Sequence, residues 1–181
     1  MLNPDSFELC FKAWTDSLVK KQKGVVALDG KTVRGSHDRS RSKSPIHMVS
    51  AWSVANEIEL GQIAVGDKSN EITAIPKLIE ILDLKGLIVT IDAMGTQTKI
   101  AESIKEKGAD YILALKGNQG YLKELVESGF QNRKADLSYE TIEKDHGRIE
   151  TRTCYVINQI EWMDEEKDRW RDLKSIIKIG N

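Results

Sequence analysis

The sequence predicts an α/β fold: a mixed five-stranded sheet flanked by helices, with a further β-rich segment towards the C-terminus. Three observations carry this. Strand-like runs at residues 24–30, 47–56 and 58–67 follow one another with no helix between them. From residue 70 to residue 130 helical and strand-like patterns alternate. From Tyr139 onward the chain turns to polar–apolar alternation. Consecutive strands pair best antiparallel, whereas strands separated by helices pair parallel through crossovers. The first three strands and the later two therefore make one mixed sheet.

The elements follow in order. Asn3 or Asp5 can cap a first helix, with Pro4 in its first turn. Phe7, Phe11, Trp14 and Leu18 form one apolar stripe, read here as core packing. Gly24 follows Lys20, Lys21 and Lys23 and stops the helix. GVVALDG is a continuous apolar run, read as a buried strand, and HMVSAWSVAN and IELGQIAVGD are the next two. Ile72, Ile75, Ile79 and Leu82 recur at helical spacing, with Pro76 either in the first turn or kinking the helix. GLIVTIDAMG is a strand, TQTKIAESIKEKG a helix, DYILALKGN a strand and QGYLKELVESGF a helix. RIETRTCYVI places Ile149, Thr151, Thr153, Tyr155 and Ile157 on one face, as in a half-exposed hairpin strand. EWMDEEKDRWRD reads as an acidic, solvated stretch, and LKSIIKIGN as a last strand. The expected division is a linking helix over 1–24, a core over 25–135 and a β-rich segment over 136–181.

At 181 residues the chain is one domain, or a domain with an appendage. Hydrophobics are 40% and charged residues 30%, which excludes a disordered chain. No apolar run is long enough for a membrane span, and the first residues lack a signal-peptide pattern, so the expected address is the cytoplasm. Cys10 and Cys154 are too few for a disulfide framework or a zinc site. A net charge of −1 argues against a surface that coats nucleic acid everywhere, yet leaves room for a local basic face.

Two aspartates stand out. VVALDG and LIVTIDAMG each end an apolar strand in one, Asp29 and Asp92. Ligands of open α/β sheets gather beyond the carboxyl ends of strands. If the two strands are neighbours, the carboxylates converge there and repel unless a cation or proton intervenes. All-oxygen ligands suit Mg²⁺ or Mn²⁺, and a pair of such ions supports phosphodiester cleavage. The plain alternative is two ordinary strand-to-turn caps.

The stretch 31–43 carries Lys31, Arg34, Arg39, Arg41 and Lys43 against Asp38, and it follows Asp29 directly. Such a loop can hold phosphates or simply be solvated. Lys116 ends the strand after Asp92 and can face the same cleft. His146 reads as a turn residue, and His37 and His47 carry no pattern. GVVALDGKT is no phosphate-binding loop, because the first required glycine falls on Val25. IDAMGT lacks the second aspartate of an aspartyl-phosphate phosphatase, Met94 standing there.

LDGKTVRGS, DKSNEITAIPKLIEIL, IDAMGTQ, DYILALKGNQ and DHGRIETR occur in this order. Together they resemble the insertion-sequence transposases of the DDE type, in the H-repeat-associated branch, over roughly residues 3–179. The resemblance implies an RNase H-like fold and cleavage and joining of DNA strands with a divalent metal, Mg²⁺ or Mn²⁺. It maps the first two acidic residues of the family's triad onto Asp29 and Asp92, and a family lysine onto Lys116. It implies transposon-end and target DNA as partners, no membrane, and a homodimer on paired ends. The family's third acidic residue is a Glu on a helix beyond a β-rich insertion, between Trp-x-Ile and Asn, and no such motif occurs here. Glu150 is the one tempting substitute, though the resemblance assigns it to the insertion. The expectation is an internal fragment with two of three metal ligands, inactive alone. The alternative is a DNA-binding or partner-binding remnant without catalysis.

Overall fold

A computed structural model describes residues 3–18, 24–34, 36, 45–65, 70–145 and 148–180. It comprises two compact units, divided between Asn118 and Gln119. No helix among the described residues is long and apolar enough to cross a membrane.

The first unit holds α1 (Pro4–Leu18), β1 (Val25–Thr32), β2 (His47–Ser53), β3 (Ile58–Val65), α2 (Glu71–Ile81), β4 (Ile88–Ile91), α3 (Thr98–Glu106) and β5 (Asp110–Leu113). Its sheet has the order β3-β2-β1-β4-β5. The β1–β2 and β2–β3 pairs are antiparallel, and β1–β4 and β4–β5 are parallel. This is the mixed sheet the strand order leads one to expect, and it agrees with the RNase H-like fold that the resemblance implies.

One face of that sheet is closed. Val26 and Leu28 of β1, Val49 and Ala51 of β2, and Val89 and Ile91 of β4 pack with Ile75, Leu78 and Ile79 of α2 and Ile100 and Ile104 of α3. The helix α2 starts at a reciprocal cap between Asn70 and Thr73. Pro76 lies inside α2, past the first turn. The opposite face is less covered than an all-apolar strand suggests. Trp52, Ala27, Thr90 and Ile112 make one row across β2, β1, β4 and β5. In that row Trp52 and Ile112 are exposed, as is Ile88 beside it. The apolar runs of β1 and β4 are therefore fully buried on one side only.

The expected core stripe of α1 is corrected. Phe7 is 59% and Trp14 53% exposed. The rings of Phe7, Phe11 and Trp14 pack along the helix surface, with centroids 6.3 and 5.8 Å apart. Among the described side chains of this helix the buried one is Thr15, one turn past Phe11 at the edge of the stripe.

The second unit holds α4 (Gly120–Asn132), β6 (Leu137–Asp145), β7 (Arg148–Ile157), α5 (Glu165–Arg169) and β8 (Ile176–Gly180). The strands form an antiparallel sheet in the order β6-β7-β8. The helix α4, expected with the core over 25–135, groups with these strands. Ile157, Ile160, Met163 and Ile176 are buried against Leu122, Leu125, Val126 and Phe130 of α4. The reading of the stretch 161–172 as solvated is corrected: Met163, Glu166 and Trp170 are buried. Charged residues flank these three and mask their spacing.

A close approach fixes α4 on this core. The Trp162 indole lies where a Cβ on Gly129 would be. Its Nε1–H donates to the Gln159 carbonyl (2.8 Å), and the Arg133 guanidinium sits 4.1 Å from the ring centroid. In a helix Ala ordinarily gains about 1 kcal/mol over Gly. Overpacking costs about 1–3 kcal/mol. Gly129→Ala should therefore destabilise the protein by roughly 1 kcal/mol in urea denaturation. A gain in stability would contradict this packing.

Candidate active site

The site begins from the register of β1 on β4. Ala27 pairs with Thr90 and Leu28 with Ile91. Leu28 and Ile91 face the core. Asp29 and Asp92 follow directly on this last pair, at a point where paired strands lie about 4.8 Å apart. Asp92 continues the extended backbone, with φ −70° and ψ 175°. Side chains alternate along a strand, so both aspartates point away from the helix-covered face. They form the row immediately beyond Trp52, Ala27, Thr90 and Ile112. Both are exposed.

Asp92 is firmly held. A single 3-10 turn, Ala93–Gly95, follows it, and the Met94 backbone N–H donates to Asp92 Oδ1 (3.0 Å). Gly95 lies flush on the sheet, since a Cβ there would overlap Ile91 and crowd Ile75. The Thr96 hydroxyl, buried, donates to the Ala114 carbonyl (2.6 Å) at the end of β5 and approaches the Asp92 carbonyl (3.3 Å). Asn118 Nδ2 donates to the Ala93 carbonyl (2.5 Å). Sequence reasoning gave Thr96 and Asn118 no role. Their signal is positional: each follows a strand end, within IDAMGTQ and LALKGNQ.

Asp29 is held differently. Its Oδ2 pairs with the Lys31 ammonium (3.1 Å), and both side chains are largely exposed. Lys31 belongs to β1 itself rather than to the following loop. Arg34 lies in the turn after β1, exposed. There the Val33 backbone N–H donates to the Ile46 carbonyl (2.8 Å). Arg39, Arg41 and Lys43, like His37 and His146, lie outside the described residues. Lys116 is exposed, three residues past the end of β5. His47 Nδ1 meets the Thr32 hydroxyl at 2.9 Å.

Glu150 belongs to the second unit, on β7, opposite Glu143 of β6. Its Oε2 pairs with Arg152 (2.8 Å). Among the described residues no three His, Cys, Asp or Glu side chains gather as a metal-binding group. The Asp29–Asp92 pair fits a hard divalent cation by donor chemistry, being all-oxygen and open to the water that would complete the shell.

The profile described as "Transposase DDE domain" matches residues 20–170. YhhI of Escherichia coli (strain K12), an H repeat-associated protein, is 42% identical over 180 residues, 97% of this chain and 48% of YhhI. YncI of Escherichia coli O157:H7 is 46% identical over 177 residues, 94% of this chain and 45% of YncI. YbfD of the K12 strain, also H repeat-associated, is 48% identical over 159 residues, 84% of this chain and 62% of YbfD. The chain thus spans about half the length of the curated relatives it matches.

The clamp on Asp92 makes a prediction. Thr96→Val keeps the shape but removes the hydroxyl's hydrogen bond to the Ala114 carbonyl, and such a bond contributes about 0.5–1.5 kcal/mol. Urea denaturation should show a loss in that range. A change within experimental error would show that the hydroxyl is dispensable.

Proposed function

Because the chain belongs to the transposases with a DDE domain, we propose that it contributes the first two acidic residues, Asp29 and Asp92, to metal-dependent cleavage and joining of DNA strands. The observation that supports this reading is the β1–β4 register, whose last pair, Leu28 with Ile91, directly precedes two aspartates 63 residues apart in sequence. In this reading the five-stranded unit is the catalytic core, residues 1–24 link to it, and residues 136–181 belong to the β-rich insertion.

Asp29 and Asp92 would hold Mg²⁺ or Mn²⁺. Bound there, the ion supplies the Lewis acidity that activates an attacking hydroxyl and stabilises the leaving oxygen. Thr96, Asn118 and Gly95 keep one carboxylate in place. Lys31, Arg34, Arg39, Arg41, Lys43 and Lys116 supply positive charge for the phosphates of transposon-end and target DNA. The third carboxylate comes from polypeptide outside this chain. Two observations support that. Glu150 stands on β7, a strand, whereas the resemblance places the family's third Glu on a helix. The sheet face bearing both aspartates also exposes Trp52, Ile88 and Ile112, an apolar surface suited to a packing helix. A homodimer acting on paired DNA ends completes the reading.

Two experiments test it. Mn²⁺ should bind the protein weakly, and Asp29→Asn with Asp92→Asn should abolish that binding without unfolding the chain. The protein alone should nick supercoiled plasmid little or not at all in Mg²⁺ or Mn²⁺. Mn²⁺ binding that survives both substitutions refutes the site. Robust nicking that Glu150→Gln removes would make Glu150 the third ligand.

The basic stretch has its own test. Changing Arg34, Arg39 and Arg41 together to Ala should weaken duplex binding and flatten its salt dependence. The log–log slope should fall by about 0.9 for each phosphate that the variant no longer neutralises. An unaltered slope assigns the stretch to solvent.

A further inference from the structure

We infer that Lys31 is the resident counter-ion of Asp29: it yields the carboxylate to a divalent cation and turns its ammonium to a DNA phosphate. The inference rests on the proposed reading of Asp29 and Asp92 as a cation site.

Lys31 stands two residues after Asp29 on β1, so the two side chains leave the same face of the strand. Its Nζ lies 3.1 Å from Asp29 Oδ2. The side chains are 80% and 52% exposed. Exposed pairs of this kind are weak, shifting an equilibrium by a factor of about two to five. A divalent ion held by two carboxylates can displace such a partner. Asp92 has no cationic partner among the described residues; its Oδ1 accepts the Met94 backbone N–H. The aspartate pair therefore carries two negative charges against one ammonium and retains a net attraction for a cation.

The position of Lys31 supplies the second half of the inference. The strand β1 runs on to Thr32, whereas the pairing of β4 with it ends at Ile91. Lys31 thus rises from a stretch of β1 that β4 does not flank, on a long flexible stem. Released from Asp29, its ammonium stays beside the carboxylates, at the root of the basic stretch 31–43. A phosphate drawn to the bound cation lies within its reach. Cation binding and DNA binding then strengthen each other by the same factor, as linkage requires.

The test compares wild type, Lys31→Met and the Asp29→Asn/Asp92→Asn double variant. Mn²⁺ affinity is read from the electron paramagnetic resonance of the free ion. DNA affinity is read from the anisotropy of a short fluorescein-labelled duplex, in EDTA and in Mn²⁺. Lys31→Met should bind Mn²⁺ alone about two- to fivefold more tightly than wild type, because a competing cation is gone. Its DNA affinity should fall below wild type by a larger factor in Mn²⁺ than in EDTA. Unchanged or weaker Mn²⁺ binding by Lys31→Met overturns the inference and leaves the cation site standing. So does a DNA deficit equal in EDTA and Mn²⁺, which marks an ordinary phosphate contact. Wild-type Mn²⁺ binding that is absent, or indifferent to the two Asp→Asn changes, removes the cation site and this inference with it.

Discussion

The parallel pairing of β1 with β4 constrains everything around the site. A slip of one residue would turn every side chain of a strand to the opposite face. Val26 and Leu28 on β1, with Val89 and Ile91 on β4, fix the register because the helices α2 and α3 bury all four. A slipped strand would carry Asp29 or Asp92 into that apolar layer, and an unpaired buried charge costs far more than core packing returns. The hydrophobic effect on one face thus sets the positions of charges on the other. Packing on one face thereby fixes where each aspartate leaves the other face.

The two aspartates then differ in how they are held. Asp92 opens a turn fixed from three sides, by the flush fit of Gly95, the buried Thr96 hydroxyl and the Asn118 amide. Both polar clamps tie this turn to the chain around the end of β5, so the second and third parallel elements lock each other. Asp29 lies within a strand that continues past it, and its carboxylate meets a solvent-exposed lysine. One carboxylate is therefore positioned by its backbone, and the other is governed by charge. In the proposed reading, a cation held by this pair would meet a rigid half and an adjustable half.

Much of this was legible in the sequence. The strand-then-aspartate pattern was clear because a buried face demands an unbroken supply of apolar residues, and a polar residue at its end marks where the covering helices stop. The mixed sheet followed from the spacing of helices between strands. Three features escaped for physical reasons. The Phe7–Phe11–Trp14 stripe has the period of a buried face, but periodicity does not say whether anything covers it. In EWMDEEKDRWRD the charges outnumber the core residues, and Glu166 is buried beside Arg169 rather than excluded. Thr96 and Asn118 act through hydrogen bonds to backbone carbonyls, a role that any small polar residue in a turn resembles until the fold is seen.

The apolar surface around the aspartates bears on how the site is completed. Trp52 and Ile112 stand in a row that runs from Glu59 of β3 across the sheet to β5, and Asp29 and Asp92 come two residues after its Ala27 and Thr90. Soluble monomers seldom leave large contiguous apolar patches in water without a use for them. In the proposed reading, an element packing on this row would bring its own side chains to the edge where Asp29 and Asp92 stand. A carboxylate on that element would reach the cation site because its apolar neighbours were being buried. The free energy of covering the sheet would then hold the third ligand in place, and ligation by the cation would in turn stabilise the covered state. Such an arrangement couples the assembly of the site to the closure of the fold, with the β1–β4 register as the fixed reference for both.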